Sequence, residues 1–262
     1  MMTNLLRNSC ATFVALFIAM FALPTTTQAQ IEYNLAVGGK VVTSDNCKDL
    51  SEIDGVSGTV NYEPKTKTLT LQDATIEGDI MYAISSDIYG LKIKVLGTNK
   101  ITAQAYGIIF SRPTSIIGDG TLEIVGSDES GINTSGNTLT VEGCTLKVKG
   151  GKFGIRGYDG NHGEDITVKN AKITAEGTSE GSIGNIASLA MEGCAIIEPV
   201  GAAFDESLHG VALNGALVKE KVVIAPASAP VTEYELIIAG TKVNDKNCSN
   251  LSEIEGVKGT VK

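Results

Sequence analysis

The sequence predicts an all-β protein built as a single-stranded parallel β-helix, and two internal repeats, one short and one long, carry this prediction. Each copy of the short repeat alternates apolar and polar residues and then turns at a glycine or a polar residue. The copies are LTLQDATI (69–76), IKVLGTNKI (93–101, with one extra residue), SIIGDGTL (115–122), LTVEGCTL (139–146), ITVKNAKI (166–173) and LAMEGCAI (189–196). Period-2 alternation in copies about 22–27 residues apart is typical of the coils of a parallel β-helix.

Three columns of residues follow the same spacing and define the expected core. The first is apolar and comprises Leu71, Val95, Ile117, Val141, Val168 and Met191. The second comprises Ile84, Ile108, Ile132, Ile155 and Ile183, and the third, of small residues, comprises Ala74, Thr98, Gly120, Cys144, Ala171 and Cys194. Because one coil cannot bury its apolar face alone, we expect the coils to stack with these columns inside. A leucine-rich repeat would need a convex segment and an asparagine ladder, and a β-sandwich would give hairpins without fixed columns, so both fit less well.

The first 29 residues have the composition of a signal peptide. Arg7 supplies a positive charge, residues 10–23 are apolar, and Thr27 and Ala29 are small residues before an expected cut between Ala29 and Gln30. The apolar run is shorter than a bilayer-spanning helix, and nothing after residue 30 resembles a transmembrane segment. We therefore expect an exported protein that is secreted, held at the cell surface or located in the periplasm.

The long repeat divides the rest of the chain. Residues 32–61 and 233–262 align without a gap at an offset of 201 residues, and sixteen of the thirty positions are identical. Because stacked coils leave an open edge that must be covered, we expect residues 30–67 to form an N-terminal cap of β-hairpin type. The coils then span 68–225 and end in a strand at residues 219–226. A Pro- and Ala-containing linker spans 226–232, and residues 233–262 are a truncated second copy of the cap, the start of a second module.

Charge and cysteine placement exclude some partners and bonds. Loss of Arg7 with residues 1–29 lowers the 21 Lys+Arg to 20 against 30 Asp+Glu, so the net charge of −9 becomes −10. A chain this acidic, without a basic cluster, is poorly suited to nucleic acid. Cys144 and Cys194 lie two coils apart, farther than a disulfide reaches, and Cys47 and Cys248 are one position in two copies. We therefore expect four buried thiols.

The densest polar segment is RGYDGNHGED, residues 156–165, in the coil with the longest spacing. An insertion of this kind forms a loop on one side of the stack, and such loops often carry binding sites. The candidate ligand-binding residues are Arg156, Tyr158 and His162, and the candidate calcium ligands are Asp159, Asn161, Glu164 and Asp165. Calcium is the one cofactor that the sequence indicates. The alternative is a solvated glycine-rich turn without a ligand.

Three aromatic residues add a second candidate surface. Tyr82, Tyr106 and Phe153 each stand two positions before an isoleucine of the second column. If this position faces solvent, the rings form a partial aromatic ladder that could stack on sugar rings. If it faces inward, the rings pack in the core.

The opening pattern YNLAVGGKVVTSDN…GVSGTVNYEPKTKTLTLQDATI, followed by coils with GI and by GDGTLEI, resembles a family of secreted proteins from anaerobic, gut-type bacteria. Members of that family often repeat this module in tandem, and some are described as carbohydrate-binding. The resemblance covers residues 31–225 and 233–262 and implies a right-handed β-helix similar to that of pectate lyases. A lyase of this kind needs an aspartate cluster that holds calcium beside an Arg or Lys base, and only residues 156–165 come near that arrangement.

These observations leave three classes of function. We expect an exported, non-catalytic module that binds glycan, as polysaccharide, or another surface partner at the cell exterior. The alternative is a structural stalk that spaces other domains from the cell, and a calcium-dependent polysaccharide lyase is less favoured. After residue 29 the chain has two histidines and two arginines, and no residue is assigned a catalytic role.

Overall fold

The computed structural model describes residues 29–227, 233–244, 248, 250, 251 and 254–258. The chain divides after Ile31, and before that point only residues 29–31 are described, without regular secondary structure. The predicted signal peptide therefore lies outside the described residues except for Ala29, as do residues 228–232 of the predicted linker.

From Glu32 onward, each regular element of the described chain is a β-strand, and this part contains no helix. The strands are β1 (Glu32–Val37), β2 (Lys40–Thr43), β3 (Val56–Glu63), β4 (Thr68–Glu77), β5 (Tyr82–Ser86), β6 (Leu91–Leu96), β7 (Thr98–Ala103), β8 (Tyr106–Phe110), β9 (Thr114–Gly118), β10 (Thr121–Gly126), β11 (Ser130–Asn133), β12 (Leu139–Glu142), β13 (Thr145–Gly150), β14 (Phe153–Arg156), β15 (Asp165–Lys169), β16 (Lys172–Gly177), β17 (Gly181–Gly184), β18 (Ser188–Glu192), β19 (Cys194–Glu198), β20 (Ala203–Asp205), β21 (Gly210–Leu213), β22 (Ala216–Leu217), β23 (Val222–Pro226), β24 (Glu233–Ile238) and β25 (Thr241–Asn244). Within the described residues, no helix is both long and apolar enough to span a membrane.

Strands from successive coils pair in parallel and form a β-solenoid of about five turns, which confirms the predicted fold class. One sheet has the order β17-β14-β11-β8-β5-β1-β2, and the second runs β18-β15-β12-β9-β6-β4-β7-β10-β13-β16-β23-β19. A full turn contributes three strands, such as β6, β7 and β8. The second sheet is continuous because the long strand β4 pairs with β6 through its first half and with β7 through its second half.

The isoleucine column is the spine of the core and is confirmed in full. Its five members are in register from β5 through β8, β11 and β14 to β17, and each side chain is at most 1% exposed. Burial of one isoleucine side chain stabilises a fold by about 1.5–3 kcal/mol. Because their branched side chains also favour extended backbone, these residues specify both the strands and the core between the two sheets.

The other two columns are correct only in part. Ile116, which is fully buried, is in register with Ile93 and Val141, so the assignment of the neighbouring Ile117 to the core column is wrong. Adjacent residues of a strand point to opposite faces, and the pairing with Ile93 decides which isoleucine points inward.

In the small-residue column, Thr98 is wrong because it is exposed and in register with Thr121, not with Gly120. Ala74 instead meets the buried Asn99, whose Oδ1 accepts a hydrogen bond from the Ala74 amide at 2.9 Å. The extra residue predicted in the second copy of the repeat is what displaces this stretch, since two residues of β4 stand against three of the β6–β7 segment.

The segments before and after the regular coils pair antiparallel. β1 and β2 form a hairpin, and β1 also pairs with β5 at the end of the first sheet, while β3 pairs with β4. The predicted final strand is present as β23, which runs antiparallel between β16 and β19. A small sheet of β20, β21 and β22 precedes it. The role of residues 30–67 as a cap stays a prediction.

The four cysteines after residue 29 form no disulfide in the described structure. Cys47 and Cys144 are buried, as expected, but Cys194 is half-buried and Cys248 is exposed. The prediction of four buried thiols is therefore wrong for the last two: Cys194 begins β19, the terminal strand of its sheet, and Cys248 lies in a turn.

Candidate functional site

The predicted aromatic ladder exists as a register, but its members differ in exposure. Tyr82, Tyr106, Ser130, Phe153 and Gly181 stand opposite one another in successive turns. Phe153 is 2% exposed and its ring packs against the backbone of the next turn at Gly181. Phe153 therefore fits the alternative in which this position faces inward and packs in the core. Tyr82 and Tyr106 are half-buried, so part of each ring remains accessible.

Arg156 follows Phe153 on β14 and belongs to an ion-pair cluster. Its Nη1 lies 3.7 Å from Oε2 of Glu129, whose other oxygen is 2.5 Å from Nζ of Lys152. The guanidinium carbon lies 6.0 Å from the centre of the Phe153 ring, within the range of a cation–π interaction. These contacts hold the Arg156 side chain against Glu129 and Phe153, so it does not extend freely into the loop of residues 156–165.

Glu164 organises the loop of residues 156–165. It is fully buried, and its Oε1 accepts hydrogen bonds from the amides of Tyr158 and Asp159, both at 3.2 Å. Its Oε2 accepts one from the amide of His162 at 2.8 Å. Burial raises the pKa of this carboxyl, but the backbone hydrogen bonds outweigh burial and the net pKa is lowered. A charged carboxylate thus closes the loop from inside.

Asp159 and His162 form an exposed pair on the outside of the same loop. Nδ1 of His162 lies 2.8 Å from Oδ1 of Asp159, and the ring of Tyr158 meets the imidazole edge to face at 5.6 Å. The hydrogen bond between the two side chains is the main cause of both shifts: it lowers the pKa of Asp159 and raises the pKa of His162. The pair therefore favours a protonated imidazole beside an ionised carboxylate.

The predicted calcium ligands come together only in part. One donor atom each from Asp159, His162 and Glu164 lies within 4.8 Å of the others. Asp165 is outside this group, and its Oδ1 accepts a hydrogen bond from Ser188 Oγ at 2.5 Å. The side-chain amide of Asn161 donates to the Asp159 carbonyl at 3.2 Å.

This donor set fits calcium poorly. Calcium takes six to eight oxygen ligands, whereas one of the three donors is an imidazole nitrogen. Both Glu164 oxygens already accept backbone hydrogen bonds. The loop geometry is accounted for by these protein contacts alone.

A groove that the sequence did not indicate lies at the corner between the two sheets. The corner segments 78–81, 104–105 and 127–129 stack on one another, since Ala105 N donates to Ile80 O at 3.1 Å and Asp128 N donates to Gln104 O at 2.7 Å. The groove has a volume of about 500 Å³ and is lined mainly by Glu77, Asp79, Ile80, Thr102, Gln104 and Ser127.

The groove continues toward the next turns. A second depression of about 210 Å³ shares Ser127 and extends past Lys149 to Thr178. Two apolar side chains at the first corner, Ile80 and Met81, are 74% and 58% exposed. Such an apolar pair within a polar corner was the signal in the sequence that could have located this surface.

The two half-buried tyrosines are adjacent in sequence to corner segments of this groove. Tyr82 directly follows the corner 78–81, and Tyr106 directly follows the corner 104–105. The amide of Tyr106 donates to the Met81 carbonyl at 2.9 Å, which locks the two corners together. The groove itself combines carboxylate and amide groups with the apolar side chain of Ile80, and the two tyrosines begin the strands that leave its corners.

Comparison of the chain with protein-family models, with curated proteins and with solved structures finds no match.

Proposed function

We propose that this protein is an exported, non-catalytic β-solenoid module that binds polysaccharide, or another extracellular surface partner, along the corner groove. The observation that supports this proposal is the open groove of about 500 Å³, whose corner segments are followed directly in the chain by Tyr82 and Tyr106. The signal-peptide composition of residues 1–29 and the resemblance to a secreted, partly carbohydrate-binding family agree with export and with a glycan ligand.

The chemistry of the groove suits a sugar chain. Sugar hydroxyls pair with carboxylate and amide groups, which Glu77 and Gln104 provide at the corner. The apolar face of a sugar ring packs on an aromatic side chain, which Tyr106 or Tyr82 supplies. Because the corners repeat about every 4.8 Å along the stack, the groove suits an extended polymer better than a compact ligand.

Asp79 has a separate part in this surface. Its Oδ1 accepts hydrogen bonds from the amides of Met81 at 2.8 Å and Tyr82 at 3.0 Å. These bonds hold the first corner in its turn and keep Ile80 and Met81 exposed. We therefore assign Asp79 the positioning of the corner, and Glu77 and Gln104 the contact with ligand.

Affinity electrophoresis through gels with embedded neutral or acidic polysaccharides tests this proposal. We expect retardation by at least one polysaccharide and a clear loss of it in Gln104→Ala and Tyr106→Ala. Tyr89→Ala is the matched control, because Tyr89 is 69% exposed but lies in the turn between β5 and β6, and it should migrate like wild type. Equal migration of all proteins in every gel would overturn the proposal.

The competing proposal is a structural stalk. It draws on the recurrence of the N-terminal hairpin after 201 residues, since an array of modules gives length as readily as avidity. A stalk predicts no retardation by any polysaccharide for wild type or variants, so the same gels separate the two proposals.

A calcium-dependent lyase remains the least supported proposal. Arg156, the nearest candidate base, is engaged with Glu129, and the adjoining carboxylate Glu164 holds the loop backbone. Incubation with pectin and calcium should leave the absorbance of unsaturated uronates flat. A steady rise in that absorbance would favour the lyase.

A further inference from the structure

The second copy of the N-terminal sequence folds into the same hairpin as the first. β24 and β25 correspond to β1 and β2 at the offset of 201 residues, with the same bounds. The registers also match: Glu32 pairs with Thr43 and Val37 with Lys40, while Glu233 pairs with Asn244 and Ile238 with Thr241. Each hairpin has one irregularity at the same place.

The turns that follow the two hairpins match as well. The amide of Cys47 donates to the Thr43 carbonyl at 2.9 Å, and the amide of Cys248 donates to the Asn244 carbonyl at 2.8 Å. Val243, Leu251 and Ile254 form a small apolar cluster, and their counterparts in the first copy are Val42, Leu50 and Ile53. The second copy is therefore folded like the first over its described residues.

The two hairpins differ in what lies on their outer edge. In the first copy, β1 pairs antiparallel with β5, so that Leu35 stands opposite Ser86 and Val37 opposite Ile84. Flanking amides extend this ladder, since Gly38 N donates to Ala83 O at 2.8 Å. With the hairpin held there, Leu35 belongs to the main hydrophobic core and is only 3% exposed.

In the second copy this edge has no strand against it within the described residues. β24 has β25 as its single neighbour there. Leu236, the counterpart of Leu35, is 50% exposed, and the next residue Ile237 is 62% exposed. An open edge with an exposed leucine on the face that is buried in the first copy is a template for one more strand.

We infer that the outer edge of β24 binds an extended strand of the β5 type, from another solenoid turn of this kind, by antiparallel β-addition. Transfer of the β1–β5 register places Leu236 opposite the second serine of the YAISS pattern and Ile238 opposite its isoleucine. Backbone hydrogen bonds supply the affinity, and the alternating side chains supply the specificity. The partner is thus recognised by a small residue and an isoleucine on one face of an extended segment.

The two faces of β24 meet different residues of the partner strand, as the first copy shows. Leu35 and Val37 are buried on one face, while Ala36 between them points to the other face. Leu236 is therefore expected on the face that carries the isoleucine of the bound strand, whereas Ile237 lies on the other face, where it stands opposite the first serine of YAISS. This alternation provides a variant and a matched control on adjacent residues.

A synthetic peptide with the sequence of residues 80–88, IMYAISSDI, tests the inference with the full protein. Labelled peptide is titrated with protein and followed by fluorescence anisotropy. We expect saturable binding that weakens about tenfold or more in Leu236→Asp, because the variant places a carboxylate opposite the second serine, on the same apolar face as the isoleucine. Ile237→Ser should bind the peptide within about twofold of wild type. A peptide with Asp in place of Ile84, the isoleucine of YAISS, should not bind.

Hydrogen exchange on the wild-type protein gives a readout that does not depend on the folding of any variant. Added peptide should slow exchange of the amides in residues 235–238 and leave those of β1 unchanged. The inference is overturned if peptide binding is absent, if it survives Leu236→Asp, or if the protection maps to another edge. Polysaccharide retardation by the corner groove is an independent property and should not respond to the peptide.

Discussion

Replacement of Glu164 by glutamine removes the charge that closes the loop of residues 156–165. In the wild-type protein, the buried carboxylate accepts hydrogen bonds from the amides of Tyr158, Asp159 and His162 at 3.2, 3.2 and 2.8 Å. Glutamine keeps one oxygen and places an NH₂ group where the second oxygen was. At least one backbone N–H then faces another donor without an acceptor.

The magnitude follows from these three bonds. A hydrogen bond to a charged group contributes about 1.5–3 kcal/mol, and a buried donor without an acceptor costs about 1–3 kcal/mol. Because one or two bonds persist in weakened form, we expect Glu164→Gln to lower the free energy of unfolding by about 2–4 kcal/mol. In urea this corresponds to a midpoint lower by about 1–2 M.

The pH dependence of the unfolding free energy gives a second, independent test of the role of Glu164. The pKa of the Glu164 carboxyl is lower in the folded chain than its ordinary value, so the folded state binds this proton less readily than the unfolded state. The stabilisation is therefore complete above the ordinary pKa of about 4.3 and is lost as pH falls through the lowered folded value. Wild type should lose this contribution in acid, whereas Glu164→Gln has no such contribution to lose.

Urea unfolding at pH 7 and at pH 3, followed by circular dichroism, checks both effects. The difference in urea midpoint between wild type and Glu164→Gln should be large at pH 7 and smaller at pH 3. Glu206→Gln is the control, since Glu206 is an exposed glutamate in a turn and its loss should change the midpoint little at either pH. Coincident curves for wild type and Glu164→Gln at pH 7 would refute the role assigned to Glu164, and so would a gap that stays constant with pH.

Three further predictions concern the core, the thiols and the second hairpin. Ile132→Ala should destabilise the solenoid by about 2–5 kcal/mol in thermal or urea unfolding, whereas Ile197→Ala, at a position 46% exposed, should cost far less; similar costs for both would contradict the inward column. Burial raises the pKa of the Cys144 thiol to about 11, so iodoacetamide at pH 8 should alkylate the exposed Cys248 first, and equal rates by mass spectrometry would count against the burial of Cys144. Ala239 has a left-handed φ of 48°, so Ala239→Gly should stabilise the second hairpin by about 1 kcal/mol, seen as slower amide exchange in β24; unchanged exchange would argue against the strained turn.

The fold was predictable because its main signal is a long-range repetition of simple residues. Five isoleucines at nearly constant spacing have one solution that buries all of them, and the observed register is that solution. Position within a single coil was less predictable. Ile116 and Ile117 are both isoleucine, and only the pairing with Ile93 on the neighbouring coil selects Ile116 as the buried one.

The antiparallel and irregular parts carried too little pattern to be predicted in detail. The sequence of β23 predicts a strand. Its antiparallel pairing with β16 and β19, however, depends on contacts with residues elsewhere in the chain. The short strands β20–β22 have no counterpart in the repeat. Local sequence describes an element, and the neighbour of that element is set by the whole stack.

The candidate site was predictable in its location more than in its chemistry. The polar loop of residues 156–165 was found from its composition, yet composition did not distinguish a ligand cage from a loop held by its own carboxylate. Glu164 and Asp159 are both acidic residues of one glycine-rich segment, but one is fully buried on backbone amides and the other is exposed on His162. The corner groove was missed because its lining comes from several turns, each of which contributes only a few residues.

The two copies of the hairpin separate what a sequence specifies locally from what its neighbours add. Leu35 and Leu236 occupy the same position of nearly the same sequence and the same register, but one is 3% and the other 50% exposed. In the first copy β1 pairs with β5, some 45 residues downstream, and Leu35 packs in the main core, whereas the described second copy has no counterpart of β5. Hairpin formation thus follows from local sequence, whereas burial of its edge requires a strand that arrives later in the chain.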